Sequence, residues 1–164
     1  MRASGPRSKP SIGRAVKLFQ IEEPDGSPVD PDAPGVAVGI DIGGRHTEVA
    51  VAVGGNALVL ADREGFALDL PVPSPTAPAE RWQHLFEGAR LRAERVLAQP
   101  VTHAVLAVAA APDAGFAAQL STASATAGLT LLRIVARDTV GAAGAAVLEA
   151  AILAEDLAPR PGAP

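Results

Sequence analysis

The chain has 164 residues, which is enough for one domain with a tail, and an apolar share of 48% permits a sizeable core although aromatic residues supply only 3%. Cysteine is absent, so disulfides and thiolate metal sites are excluded, and His46, His84 and His103 are too scattered along the chain for a histidine-rich zinc site. The net charge of −4 conceals an asymmetry, because Arg2, Arg7, Lys9, Arg14 and Lys17 all precede the first acid, Glu22. Such a basic leader suits contact with nucleic acid, an anionic membrane or the acidic body of the same protein, or else it is a solvated, disordered leader.

Residues 1–34 read as that leader. They contain Pro6, Pro10, Pro24, Pro28, Pro31 and Pro34 with glycine and aspartate between them, a composition that buries too little apolar surface to offset its ordering entropy. One patch stands out within it, Ala15-Val-Lys-Leu-Phe-Gln-Ile21, which reads as a strand or a docking segment. No apolar run reaches membrane-spanning length and no hydrophobic segment follows the basic residues as a signal peptide requires, so a soluble cytoplasmic protein is expected.

Order is expected over 35–157, with a disordered tail at 158–164. Three strands are expected at 36–42, 47–53 and 58–62, the last two joined by a turn at Gly54-Gly55-Asn56. A proline-rich crossing over 70–78 ends this part. The period then changes to three and four in Trp82, Leu85, Phe86, Ala89, Ala93, Val96 and Leu97, which predicts an amphipathic helix over 78–99. In that helix Trp82 is expected to anchor the core.

The unalternating apolar run 103–109 predicts a strand buried on both faces, opened by His103 as a solvated edge residue. Asp113 is placed to cap a helix carrying Phe116, Leu120, Ala123 and Ala127, closed by Gly128. A buried strand follows at 129–135. Asp138 or Thr139 caps a final helix with Val140, Val147, Leu148 and Ala151 inward, and Gly141 and Gly144 allow it a close approach. The order β-β-β-α-β-α-β-α, with right-handed crossovers, predicts a five-stranded mixed α/β sheet flanked by helices, the plan of a ribonuclease-H-like lobe, with the first strand central.

The stretch with most chemical content is Gly39-Ile-Asp-Ile-Gly-Gly-Arg-His-Thr47, between the first two strands. An acid at a strand end followed by two glycines is how a hairpin brings backbone N–H groups up to a phosphate, with Asp41 placed to hold a metal ion or metal-bound water. The plain alternative is a turn that contains an aspartate. Arg45 then pairs with a phosphate or with Asp41, and Glu48 faces solvent.

Gly39-Ile-Asp-Ile-Gly-Gly resembles the first phosphate hairpin of the actin-like ATPase superfamily, which includes hexokinase and the DnaK-type chaperones. Thr102-His-Ala-Val-Leu-Ala-Val-Ala109 and Ala127-Gly-Leu-Thr-Leu-Leu-Arg-Ile134 resemble the DnaK-type pattern in which a strand enters V-P-A and A-G-L-x-V-L-R-I-I-N-E-P-T follows, without a gap over 106–139. The resemblance covers 36 to about 153 and implies the first lobe of a two-lobed nucleotide-binding domain. It implies a nucleotide contact through Asp41, Gly43, Gly44, Arg45, Thr47 and Thr139, with Asp41 on the metal side.

The departures are equally specific. The two hydroxyl residues of the family hairpin are Gly44 and Arg45 here, the family glutamate is Arg137, the proline after it is Asp138, and the proline of V-P-A is Ala109. A lone lobe also meets a phosphate from one side only, whereas preorganised catalysis needs donors on both. The expectation is a degenerate lobe with weak ATP–Mg2+ binding at most and no catalytic residues. It is then a protein-interaction or chaperone-like module that binds a protein partner or a second copy through the open carboxyl edge of the sheet. Gly43, Gly44, Ala109 to Ala111, Thr139 and Gly141 should line that edge as a shallow apolar crevice.

Two alternatives stand beside it. A ribonuclease-H-like two-metal nuclease would use Asp41, Asp113 and Asp138, although the acidic body is a poor nucleic-acid surface and both later acids also suit helix caps. A split ATPase or sugar kinase would need a partner chain to complete the site.

Overall fold

The computed structural model describes residues 35–61, 70–137 and 145–159. The leader, residues 62–69, the positions Asp138, Thr139, Val140, Gly141 and Gly144, and the end of the tail lie outside the described residues, as do the expectations attached to them.

The described elements run β1 (Val36–Asp41), β2 (Glu48–Val53), β3 (Asn56–Val59), α1 (Ala79–Leu97), β4 (Val101–Val108), α2 (Ala114–Thr126), β5 (Thr130–Ala136) and α3 (Ala146–Leu157). This is the β-β-β-α-β-α-β-α order read from the sequence. The strands form one mixed sheet in the order β3-β2-β1-β4-β5. β1 is central, antiparallel to β2 and parallel to β4, which is in turn parallel to β5. The fold class is therefore α/β with the ribonuclease-H-like arrangement.

Element ends differ from expectation for local reasons. The β2–β3 turn needs only Gly54 and Gly55, both at positive φ (61° and 84°), so pairing resumes at once with Val53 opposite Asn56. β3 thus starts two residues early. β4 also starts early, because the Glu94 carboxylate accepts the Val101 N–H at 2.9 Å and Val36 pairs with Val101. Pro78 stands at the N-cap of α1 rather than in its first turn, and Ala98 closes the helix in the left-handed region at φ 56°.

The two faces of the sheet are covered differently. α1 and α2 pack on one side, burying Val38, Ile40, Val49, Leu106, Trp82, Phe86 and Leu120 together. Trp82 is the expected anchor, with its ring edge-on to Phe116 at 5.5 Å and 71°. α3 lies on the other side over β1, β2 and β4, and its buried face is Ala146, Val147, Ala150, Ala151 and Ala154. Small residues bring the helix backbone close to the strands. At Gly39 a Cβ would stand 2.8 Å from the Ala150 carbonyl carbon and the Val147 carbonyl oxygen, and closer still to the Ala151 nitrogen. Gly39 is the glycine that admits α3.

Asp113 caps α2 as expected, its Oδ1 accepting the Phe116 N–H at 2.7 Å, and Gly128 ends that turn at φ 90°. His103 is not on an edge strand: β4 lies between β1 and β5, and the ring is half-buried with Nδ1 2.7 Å from Thr102 Oγ1. Burial lowers its pKa from the ordinary 6.5. Protonation is therefore harder in the folded chain than in the unfolded one. Stability should be fully present above pH 6.5 and fall slightly as pH drops through the lower folded value. The measurement is thermal melting from pH 8 to 4.5, where His103→Gln should remove that part of the slope.

Candidate functional site

The carboxyl ends of β1, β4 and β5 lie side by side, and the loop 42–47 leaves β1 at the same edge. Strand pairing places Asp41 opposite Glu48, so the loop spans the six positions between them. It is not a free hairpin. The Thr47 N–H donates to the Leu70 carbonyl and the Val72 N–H donates to the Arg45 carbonyl, both at 2.9 Å, and His46 bridges Pro71. The proline-rich crossing therefore does more than connect; it pins the glycine loop from outside.

Asp41 is 1% exposed, and both its oxygens are engaged. Oδ1 accepts the Gly43 N–H at 2.7 Å. Oδ2 accepts two donors of one guanidinium, Arg137 Nη2 at 2.7 Å and Nε at 3.2 Å. Arg137 follows β5 directly, and its side chain reaches across the end of β4 to β1 with a quarter of its surface exposed. Its stem also lies over Gly43, where a Cβ would be 2.6 Å from Arg137 Cδ. A side chain at position 43 would force the Arg137 stem to move.

The other expected site residues divide into two groups. Gly44 and Arg45 are exposed at the loop tip, and Glu48 is exposed as expected. Thr47 points inward: it is 6% exposed, and its Oγ1 is buried with no hydrogen-bond partner. Thr139 lies outside the described residues. The expected apolar crevice is modified in the same way. Ala109, Ala110 and Ala111 are exposed, but the Gly43 side of the edge is covered by the Arg137 side chain, whose guanidinium is paired with Asp41.

Among the three aspartates of the nuclease alternative, Asp41 is held by Arg137 and Asp113 caps α2, while Asp138 is outside the described residues. No group of three or more His, Cys, Asp or Glu side chains is arranged to hold a metal ion among the described residues. A divalent ion does not fit the Asp41 carboxylate as it stands. Each oxygen already accepts, and the positive charge beside it belongs to the protein.

Arg137 as the partner of Asp41 is the residue that sequence reading missed. The signal was present as two opposite charges at the carboxyl ends of two strands separated by one, but Arg137 was weighed only as a lost glutamate.

No described helix is long and apolar enough to cross a membrane. No protein-family model matches the chain, and no curated protein matches it.

Proposed function

We propose that this chain is a degenerate lobe of the actin-like ATPase type, nearest to the DnaK-type chaperones, that does not turn over ATP and acts by binding a protein at the carboxyl edge of its sheet. The carrying observation is the Asp41–Arg137 pair. In a lobe that handles nucleotide, an acid in this position works through a divalent cation. Here the Arg137 guanidinium neutralises it from within the fold, at 2.7 Å. Within the glycine loop the Gly43 N–H is directed to Asp41 and not outward to a phosphate. The exposed tip, Gly44 and Arg45 with Ala109 to Ala111, then serves as a contact surface of small residues around a cationic rim.

The test is a steady-state assay with Mg2+ and ATP on the purified chain, alongside Asp41→Ala. Phosphate release should equal the buffer blank for both proteins. Magnesium-dependent release that is present in the native chain and lost in Asp41→Ala would overturn the reading.

A further inference from the structure

An apolar hollow among the described residues lies at the opposite end of the sheet from Asp41. It has a volume of about 590 Å3, and Gly35, Val51, Val53, Leu58 and Leu97 line it, with Glu155 as the one charged residue among the described lining residues. Two of these side chains are uncovered to an unusual degree, Leu58 at 65% and Val53 at 50% exposure. They lie on β2 and β3 at the side of the sheet that carries no description beyond β3. A patch of this kind, beside a strand with no described neighbour, is a place where further chain packs.

We propose that residues 15–21 of this chain, Ala15-Val-Lys-Leu-Phe-Gln-Ile21, occupy this hollow. Three observations favour this occupant. The first is position. Gly35 is itself part of the lining and is fixed there, its N–H donating to Thr102 Oγ1 at 3.0 Å. The first described residue therefore stands in the wall of the hollow. The 13 residues between Ile21 and Gly35 reach about 45 Å when extended, so returning to Leu58 requires no stretching.

The second is composition. Val16, Leu18, Phe19 and Ile21 put four large apolar side chains into seven residues, whereas the other large apolar residues of the leader, Met1, Ile12 and Val29, stand singly among proline, glycine, alanine, polar and charged residues. An apolar hollow takes side chains of that kind and would reject the rest of the leader. The third is charge. Lys17 lies in the middle of the segment, and the hollow's described lining carries the carboxylate of Glu155, which the Gly54 and Gly55 N–H groups hold in place at 2.6 and 2.9 Å. This docking is independent of the reading of the Asp41 edge, at the other end of β1.

Trypsin on the full chain tests it. The rates of cleavage after Arg7 and after Lys17 are measured, each relative to the same bond in a free peptide of residues 1–34. Docking should slow the Lys17 bond at least tenfold and leave the Arg7 bond unchanged, and Leu58→Glu should restore Lys17 cleavage. Leu58 is largely exposed, so that variant should keep the native far-ultraviolet circular dichroism. A second measurement does not depend on it. The chain has no cysteine, so Phe19→Cys with Leu58→Cys, treated with diamide at micromolar protein, should give a crosslinked monomer. Phe19→Cys with Ala110→Cys should not. Equal slowing factors at the two bonds in the native chain overturn the proposal. So does a disulfide that forms only between chains, which would assign the hollow to a second copy, or no disulfide above the Ala110 control.

Discussion

Gly39→Ala is expected to be the most damaging single methyl group that can be added to this protein. The substitution leaves strand propensity unharmed, so its effect comes from α3. The new Cβ would meet backbone atoms of Val147, Ala150 and Ala151 at 2.8 Å or less, and backbone cannot step aside by changing rotamer. Overpacking in a tight core costs roughly 1–3 kcal/mol and sometimes more, and rigid backbone places this case near the top, at about 3 kcal/mol. Against the marginal stability of a domain this size, that is a loss of about 10 °C in melting temperature. The measurement is thermal and urea unfolding followed by circular dichroism. Ala151→Gly should fail to rescue the variant, because the contact is with the Ala151 nitrogen and not its methyl group. Full rescue, or a loss below about 0.5 kcal/mol, would show that α3 does not rest on β1 as described.

Arg137→Ala should be the second largest effect. It leaves the Asp41 carboxylate, 1% exposed, with the Gly43 N–H as its remaining described donor. Removing one partner of a buried pair costs about 3–5 kcal/mol because the other charge remains desolvated. Arg137 keeps a quarter of its side chain in solvent, so water enters the space it vacates and about 2–3 kcal/mol is expected. Asp41→Asn added to Arg137→Ala should recover part of that loss, since no buried charge then remains. Urea unfolding of the native chain, both single variants and the double variant closes the cycle. If the double variant is as unstable as the sum of the singles, the two residues do not act as a pair.

The sheet was legible because its signals are local. The run of small and β-branched residues in β2, the apolar run of β4, the apolar residues on either side of Arg133 in β5, the three-and-four spacing of α1 and the Asp113 and Gly128 caps each declare an element within a dozen residues. Parallel pairing of β1 with β4 then follows from chain order and crossover handedness. What escaped notice depends on pairs far apart in sequence. Arg137 meets Asp41 across 96 positions, and no periodicity encodes that. Gly39 drew attention as the start of a phosphate motif, while its structural duty is toward a helix more than 100 residues later. The pinning of loop 42–47 by Leu70 and Val72 was hidden for another reason, because a proline-rich crossing carries no strand pattern. His103 was misjudged since the first residue of an apolar run need not be the first residue of the strand.

The position of α3 bears on how the chain is made. It is the last described element, yet it covers the back of β1, β2 and β3, which are the first. Its Glu155 carboxylate also ties down the Gly54–Gly55 turn across 101 and 100 positions. When β3 emerges from the ribosome, Ala50, Ala52 and Val59 have nothing to pack against, and the turn lacks its acceptor. Synthesis at about 5–20 residues per second keeps α3 away for roughly 5–20 s. Throughout that interval the nascent β-meander shows one bare apolar side, so the amino-terminal half acquires its native packing only after translation has passed the carboxyl-terminal helix.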